Sequence, residues 1–155
     1  MTTAATPGIL GAIYNYRRVS PELATSGQPR ESELAAIAAA GYEVVVNLAL
    51  HDDPRYSLAD EAGTVRSLGM DYIHIPVQFA SPTAADLATF FQAMDRCAGS
   101  KTWIHCAANM RVSVFLGLYC ALRQGWEVER AFELMNDLWK PNEIWSTFIA
   151  AHLRR

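Results

Sequence analysis

The chain has 155 residues, 51% of them hydrophobic and 19% charged, with 13 Lys and Arg against 16 Asp and Glu. That is the size of one domain, apolar enough to bury a core without disulfides or metal and too hydrophobic to remain disordered. A net charge of −3 lacks the basic excess of a general nucleic-acid binder. No apolar run approaches the ~18 residues of a membrane span, and MTTAATPGILGAIYNYRR lacks the pattern of a secretory signal. The expectation is a single cytoplasmic domain over residues 1–155, with neither nucleic acid nor membrane as partner. Three cysteines, Cys97, Cys106 and Cys120, are too few and too scattered for a disulfide framework. Reduced thiols fit that setting.

In chain order, about residues 1–10 read as a tail, and Arg17 and Arg18 as a solvated surface pair, Arg18 also within reach of a phosphate pocket. Ser26-Gly-Gln-Pro29 has turn chemistry, with Gln28 placed to hydrogen-bond a loop near an active site. Ser32 to Ala40 predicts a helix ending at Gly41, and Glu43 to Leu50 a buried strand. His51-Asp-Asp-Pro-Arg55 is a loop, Ser57 to Leu68 a second helix, and Asp71 to Val77 a second strand that holds His74 as a packed core histidine. Ser81 supplies a hydroxyl cap for a third helix running to about Cys97, with Asp86 as its helix-start acid. Thr102 to His105 is a short strand; Met110 to Gln124, Val128 to Leu138 and Asn142 to Leu153 are helices, the last two split by Pro141. Trp126, Trp139 and Trp145 are expected to pack the helical end, Trp139 also lining the cleft.

Strand and helix alternating in this way predict an α/β fold: a four- to five-stranded, mainly parallel sheet with helices on both faces. Ligands of such folds bind at the carboxyl ends of strands. Of the loops there, Trp103-Ile-His-Cys-Ala-Ala-Asn-Met-Arg-Val-Ser113 carries the chemistry. A cysteine at a strand end, before a short loop into a helix, sits in an anion-binding nest reinforced by the helix dipole. The same field favours thiolate in cysteines so placed. Arg111 offers a planar fork for a bound oxyanion. Ser113 is placed to hydrogen-bond the thiolate or to stabilise it as a leaving group, and His105 to brace the loop. Cys97 and Cys120, on helices, read instead as small core hydrophobes. His51, His74 and His152 lack ligand spacing, so neither metal nor cofactor is expected.

His-Cys, a short loop, then Arg and a nearby Ser resembles the cysteine-dependent protein tyrosine and dual-specificity phosphatases. Ser26-Gly-Gln-Pro29, Gly41-Tyr42, Val46-Asn-Leu48, Ser67-Leu-Gly-Met70 and Tyr72-Ile-His-Ile-Pro-Val77 are similar to the bacterial phosphatase-like domain found beside β-lactamase-hydrolase-like enzymes. The resemblance covers most of the chain. It implies a (phosphotyrosine protein phosphatase)-like fold and a two-step phosphoryl transfer without metal. Cys106 is implied as the nucleophile, and Arg111 with the amides of Ala107, Ala108, Asn109, Met110 and Arg111 as the cradle for the equatorial oxygens. The implied substrate is a phosphorylated protein or a small phosphomonoester.

Two positions depart from that pattern. Phosphatases of this kind place five residues between Cys and Arg, whereas Ala107 to Met110 are four, and Ser113 stands seven after Cys106. Either the loop keeps its length and the arginine moves back by one, redirecting the guanidinium, or the loop is shorter and the cradle shrinks. Gln78 and Phe79 occupy the stretch where the family has its general-acid Asp. Without a proton donor there, about 10²–10⁴ in leaving-group protonation is lost. Asp52 and Asp53, on a strand-end loop at the same face, are the candidate substitutes, with Asp86 the remaining carboxylate considered. Two other readings fit these departures. One is a rhodanese-like sulfurtransferase carrying a persulfide on Cys106, which needs a smaller loop and no acid; the other is a catalytically impaired anion- or phosphoprotein-binding module.

Overall fold

A computed structural model describes residues 5–51, 54 and 57–154. Its centre is a five-stranded sheet in the order β1-β2-β5-β3-β4, formed by β1 (Arg17–Ser20), β2 (Leu23–Ser26), β3 (Val44–Asn47), β4 (Asp71–His74) and β5 (Thr102–His105). All neighbours are parallel except β1, which pairs antiparallel with β2. Every residue of β3 and β5 is buried, as central strands covered on both faces must be.

Strand alternation divides the interior in two. Val44, Val46 and Ile104 face one core with α4 (Ala84–Arg96), α5 (Met110–Arg123) and α7 (Glu143–Leu153). Val45, Ala24 and Trp103 face the other, with α1 (Ala5–Gly11), α2 (Glu31–Ala39) and α3 (Glu61–Ser67). Helix α5 is buried without a break from Arg111 to Cys120. A helix enclosed on all sides is held by its neighbours rather than by an amphipathic face.

The alternating α/β architecture agrees with the sequence reading, and several boundaries differ for local reasons. The expected surface pair Arg17–Arg18 opens the antiparallel edge strand, and the stretch expected as a tail holds α1, whose Leu10 is buried. Strand β3 ends at Asn47, not Leu50, because the Asn47 side chain accepts a hydrogen bond from Ala49 N at 2.9 Å and turns the chain. Strand β4 ends at His74, short of Val77; Pro76 has no N–H to continue the ladder. His74 is exposed on that edge rather than packed in the core, with Nε2 2.6 Å from the Ala49 carbonyl. Helix α3 starts at Glu61 rather than Ser57, where the Asp60 carboxylate accepts from Gly63 N at 3.0 Å.

Thr83, not Ser81, caps α4 and forms a reciprocal capping box with Asp86, which fixes Asp86 as the expected helix-start acid. The helix expected from Val128 to Leu138 is a four-residue turn, α6 (Val128–Ala131), then a 3₁₀ turn (Glu133–Met135). Asp137 at φ +65° keeps that segment from continuing as a helix.

Candidate active site

Cys106 follows the last residue of β5, the strand at the middle of the sheet. From there the chain crosses Ala107 and Ala108 and enters α5 through Asn109, held in the left-handed region at φ +68°. Asn tolerates that conformation better than other side-chain-bearing residues. Cys106 is completely buried, and Ala107 and Ala108 are half-buried above it.

Polar contacts from four directions hold this loop. Gln28 N donates to the Ala107 carbonyl at 3.0 Å, and Asn15 Nδ2 to the Ala108 carbonyl at 3.0 Å. Asn109 Nδ2 donates to the Asn15 carbonyl at 2.9 Å and to Thr25 Oγ1 at 3.0 Å. The His105 ring lies between Glu61 Oε2, 2.5 Å from Nε2, and the Cys106 carbonyl, 3.2 Å from Nδ1. Gln28 Nε2 donates to the second Glu61 oxygen at 2.8 Å. Burial alone would raise the Glu61 carboxyl, but the His105 charge and the hydrogen bonds from His105 and Gln28 outweigh it and hold the group below its ordinary range. The backbone must also come very close here. A Cβ on Gly27 would lie 2.6 Å from the Ala107 carbonyl oxygen and 2.6 Å from the Tyr14 ring.

Arg111, in the first turn of α5, donates through Nη1 to the Val77 carbonyl at 2.8 Å, with its guanidinium carbon 5.8 Å from the Phe79 ring centre. The guanidinium thereby ties the loop after β4 to the helix that follows Cys106. Ser113 differs from expectation. Its hydroxyl donates to the Met110 carbonyl at 2.6 Å and accepts from Trp139 Nε1 at 2.9 Å, so it is occupied within the helix and by the 136–140 segment. Trp139 thus bonds the first turn of α5 and also packs on Phe79 and Trp145.

On the neighbouring strand ends, the Asn47 amide donates to Tyr72 Oη at 3.0 Å and lies 3.1 Å from His51 Nε2; the His51 and His74 rings are 4.4 Å apart. Partial burial, then the His74 charge, lowers the His51 pKa. Asp52 and Asp53 lie outside the described residues. Among the described residues no cluster of three or more His, Cys, Asp or Glu could hold a metal ion. Asn15, Glu61 and Thr25 are site residues that sequence reasoning missed. Each is brought in by the fold from far along the chain, and no local pattern marks it; Gln28 alone carried a signal, within Ser-Gly-Gln-Pro.

A family model for the phosphatase-like domain of Beta-lactamase hydrolase-like protein matches residues 15–123, the stretch from the first loop-bracing asparagine to the end of α5. The chain belongs to that family. Four residues separate Cys106 from Arg111 in its cysteine loop. The phosphatase-like domain is 31% identical over 102 residues to the Beta-lactamase hydrolase-like protein of Xylella fastidiosa strain Temecula1, a match that covers 64% of this chain and 23% of that protein. It therefore spans about a quarter of the length of that relative. The crystal structure of a DUF442 protein from Shewanella putrefaciens CN-32 superposes with a TM-score of 0.84 at 31% identity, over 95% of this chain and 96% of that one. Tk-PTP in its active form shares the fold, with a TM-score of 0.74 at 19% identity over 91% of this chain and 97% of that one. Among the described residues no helix is long and apolar enough to cross a membrane.

Proposed function

We propose that this domain is an atypical cysteine-dependent phosphatase that hydrolyses phosphomonoesters, best those with good leaving groups such as aryl phosphates. The observation that carries this reading is the position of Cys106. It stands at the carboxyl end of the central strand, under a loop that opens into the N-terminus of a 14-residue helix. Amides of Ala107 to Arg111 and the positive end of that helix suit a phosphoryl group.

In the first step the Cys106 sulfur attacks phosphorus, an S–P bond forms, and the P–O bond to the leaving group breaks. The leaving oxygen takes a proton from a nearby acid or from water. In the second step water attacks phosphorus, the S–P bond breaks, inorganic phosphate departs, and the thiolate returns. Asp52 and Asp53 are the proposed acids. His105, braced by Glu61, positions the Cys106 carbonyl and hence the loop. The bond from Arg111 to Val77 fits a redirected guanidinium. Ser113 acts through Met110 as a loop-positioning residue, not as a partner of the thiolate.

Hydrolysis of p-nitrophenyl phosphate by the full chain tests the reading. Cys106→Ser is expected to abolish turnover and Arg111→Ala chiefly to raise KM; a Cys106→Ser protein working at the wild-type rate sinks the nucleophile assignment. Sulfur transfer is the second reading, favoured by the four-residue spacing and by Gln78 and Phe79 standing where an acid is needed. Thiocyanate formed from thiosulfate and cyanide, in the absence of phosphate release, replaces the first reading with the second. Retained phosphate binding without turnover of either kind leaves an anion- or phosphoprotein-binding module.

A further inference from the structure

The 77–79 segment, which follows β4, is held through its backbone carbonyls by two helices. Arg111 Nη1 of α5 donates to the Val77 carbonyl at 2.8 Å, and Trp145 Nε1 of α7 donates to the Phe79 carbonyl at 2.8 Å. Val77 N donates in turn to the Leu48 carbonyl at 3.0 Å, which ties the segment to the loop after β3. Trp145 is completely buried, and a buried indole N–H needs a partner; the Phe79 carbonyl is that partner. The backbone of Trp145 is fixed as well. It stands in the first turn of α7, where the Asn142 cap accepts from its N–H at 3.0 Å. The Phe79 ring packs on two indoles, its centre 5.7 Å from that of Trp145 and 5.9 Å from that of Trp139. The same ring faces the Arg111 guanidinium at 5.8 Å.

One end of the Arg111 guanidinium is thus anchored and the other is not. Nη1 is taken by Val77, whereas among the described residues neither Nε nor Nη2 has a hydrogen-bond or ion-pair partner. Nε and Nη2 make the side-on fork that grips an oxyanion through two parallel bonds. Where that fork stands depends on what holds the opposite end, the Val77 carbonyl and the Phe79 ring. Both belong to a three-residue stretch whose far carbonyl is bonded by Trp145. We infer that Trp145, acting through Phe79, is a positioning residue for the Arg111 fork. An indole on α7 then sets oxyanion affinity without touching the substrate. The inference rests on the reading of Arg111 as the residue that holds the anion at the Cys106 loop.

The test is a double-mutant cycle on inorganic phosphate binding, read by calorimetric titration of the full chain. Trp145→Phe removes the indole N–H and keeps an aromatic ring in the core. It is expected to raise the phosphate dissociation constant about tenfold, the scale of one charge-assisted hydrogen bond. In an Arg111→Ala background the same substitution should change it by less than about twofold, because the fork it positions is gone. Equal weakening in both backgrounds is what a merely structural role produces, and it overturns the inference. So does a Trp145→Phe chain with wild-type affinity. Phe79→Leu, at a half-buried position, carries the same cycle should Trp145→Phe fail to fold. Trp126→Phe makes the same exchange in the cavity shared by Cys97 and Cys120 and should leave affinity unchanged; a tenfold loss there also overturns the inference. An Arg111→Ala chain that binds phosphate as tightly as wild type, or a wild-type chain that does not bind it, removes the anion role of Arg111 and the inference with it. Cys106→Ser hydrolysing aryl phosphate at the wild-type rate removes the phosphatase reading alone and leaves the coupling of Trp145 to Arg111 standing.

Discussion

The two ends of β5 hold cysteines in opposite circumstances. At its carboxyl end Cys106 sits under a loop bonded by Gln28, Asn15, Asn109 and the His105–Glu61 pair. At its amino end Cys97 and Cys120 line a mostly apolar cavity of about 290 Å³ with Met94, Leu116 and Tyr119. Their exposures hardly differ: 0% for Cys106, 7% for Cys97 and 4% for Cys120. Burial therefore does not distinguish Cys106 from the two remote thiols. The partners do. Desolvation in the apolar cavity raises both remote thiols, Cys120 to about 11, which keeps them protonated at neutral pH.

The sharpest way to break that contrast is to exchange the roles. Cys106→Ser is expected to cut aryl phosphate turnover by at least about 10³-fold, as loss of a covalent nucleophile does, whereas Cys97→Ala and Cys120→Ala leave turnover unchanged. Equal losses from all three in a p-nitrophenol release assay would erase the distinction.

The next effect falls on the brace. Glu61 has no exposed side-chain surface, so Glu61→Ala leaves His105 buried without its partner and should cost about 3–5 kcal/mol in urea unfolding. The pH dependence follows from the direction of the Glu61 shift. A carboxylate held below its ordinary value contributes stability that is complete above about 4.5 and lost as pH falls through the folded value. The stability gap between wild type and Glu61→Gln should accordingly narrow when the comparison moves from pH 7 to below pH 4. A gap that widens on acidification would show that the pair does not favour the charged carboxylate.

Gly27→Ala tests the same side through the backbone. The added methyl meets a carbonyl oxygen at 2.6 Å, so about 1–3 kcal/mol of stability should be lost together with catalytic rate, since the loop must move to admit it. A fully active, fully stable Gly27→Ala protein would mean that the loop is not held where Gly27 touches it. The smallest effect belongs to the far end: Cys120→Ala should cost about 1 kcal/mol by thermal melting. Iodoacetamide should alkylate Cys120 in the native protein roughly 10² times more slowly than a free thiol at pH 7, the rate climbing as pH approaches 11.

Legible in the sequence are the α/β class, the helix with Asp86 as its first-turn acid and the placing of one cysteine at a strand–loop–helix junction. These are readable because they depend on neighbours within a few residues: apolar runs, capping residues, and Cys, Arg and Ser along one loop. The antiparallel β1–β2 hairpin escaped because its two strands are only four residues each and lack an apolar alternation strong enough to mark them. The partners of Ser113 escaped for a related reason. Its spacing from Cys106 is a sequence fact, but its hydroxyl answers to Met110 and Trp139, and the latter is 26 residues away.

No local pattern in the sequence marks Glu61. Only the tertiary structure brings it to His105, across 44 residues of chain, and Asn15 to the Ala108 carbonyl, across 93. Local chemistry can nominate a nucleophile. The groups that hold its loop in place come from separate strands and helices, and the order in which the strands lie side by side decides where they meet.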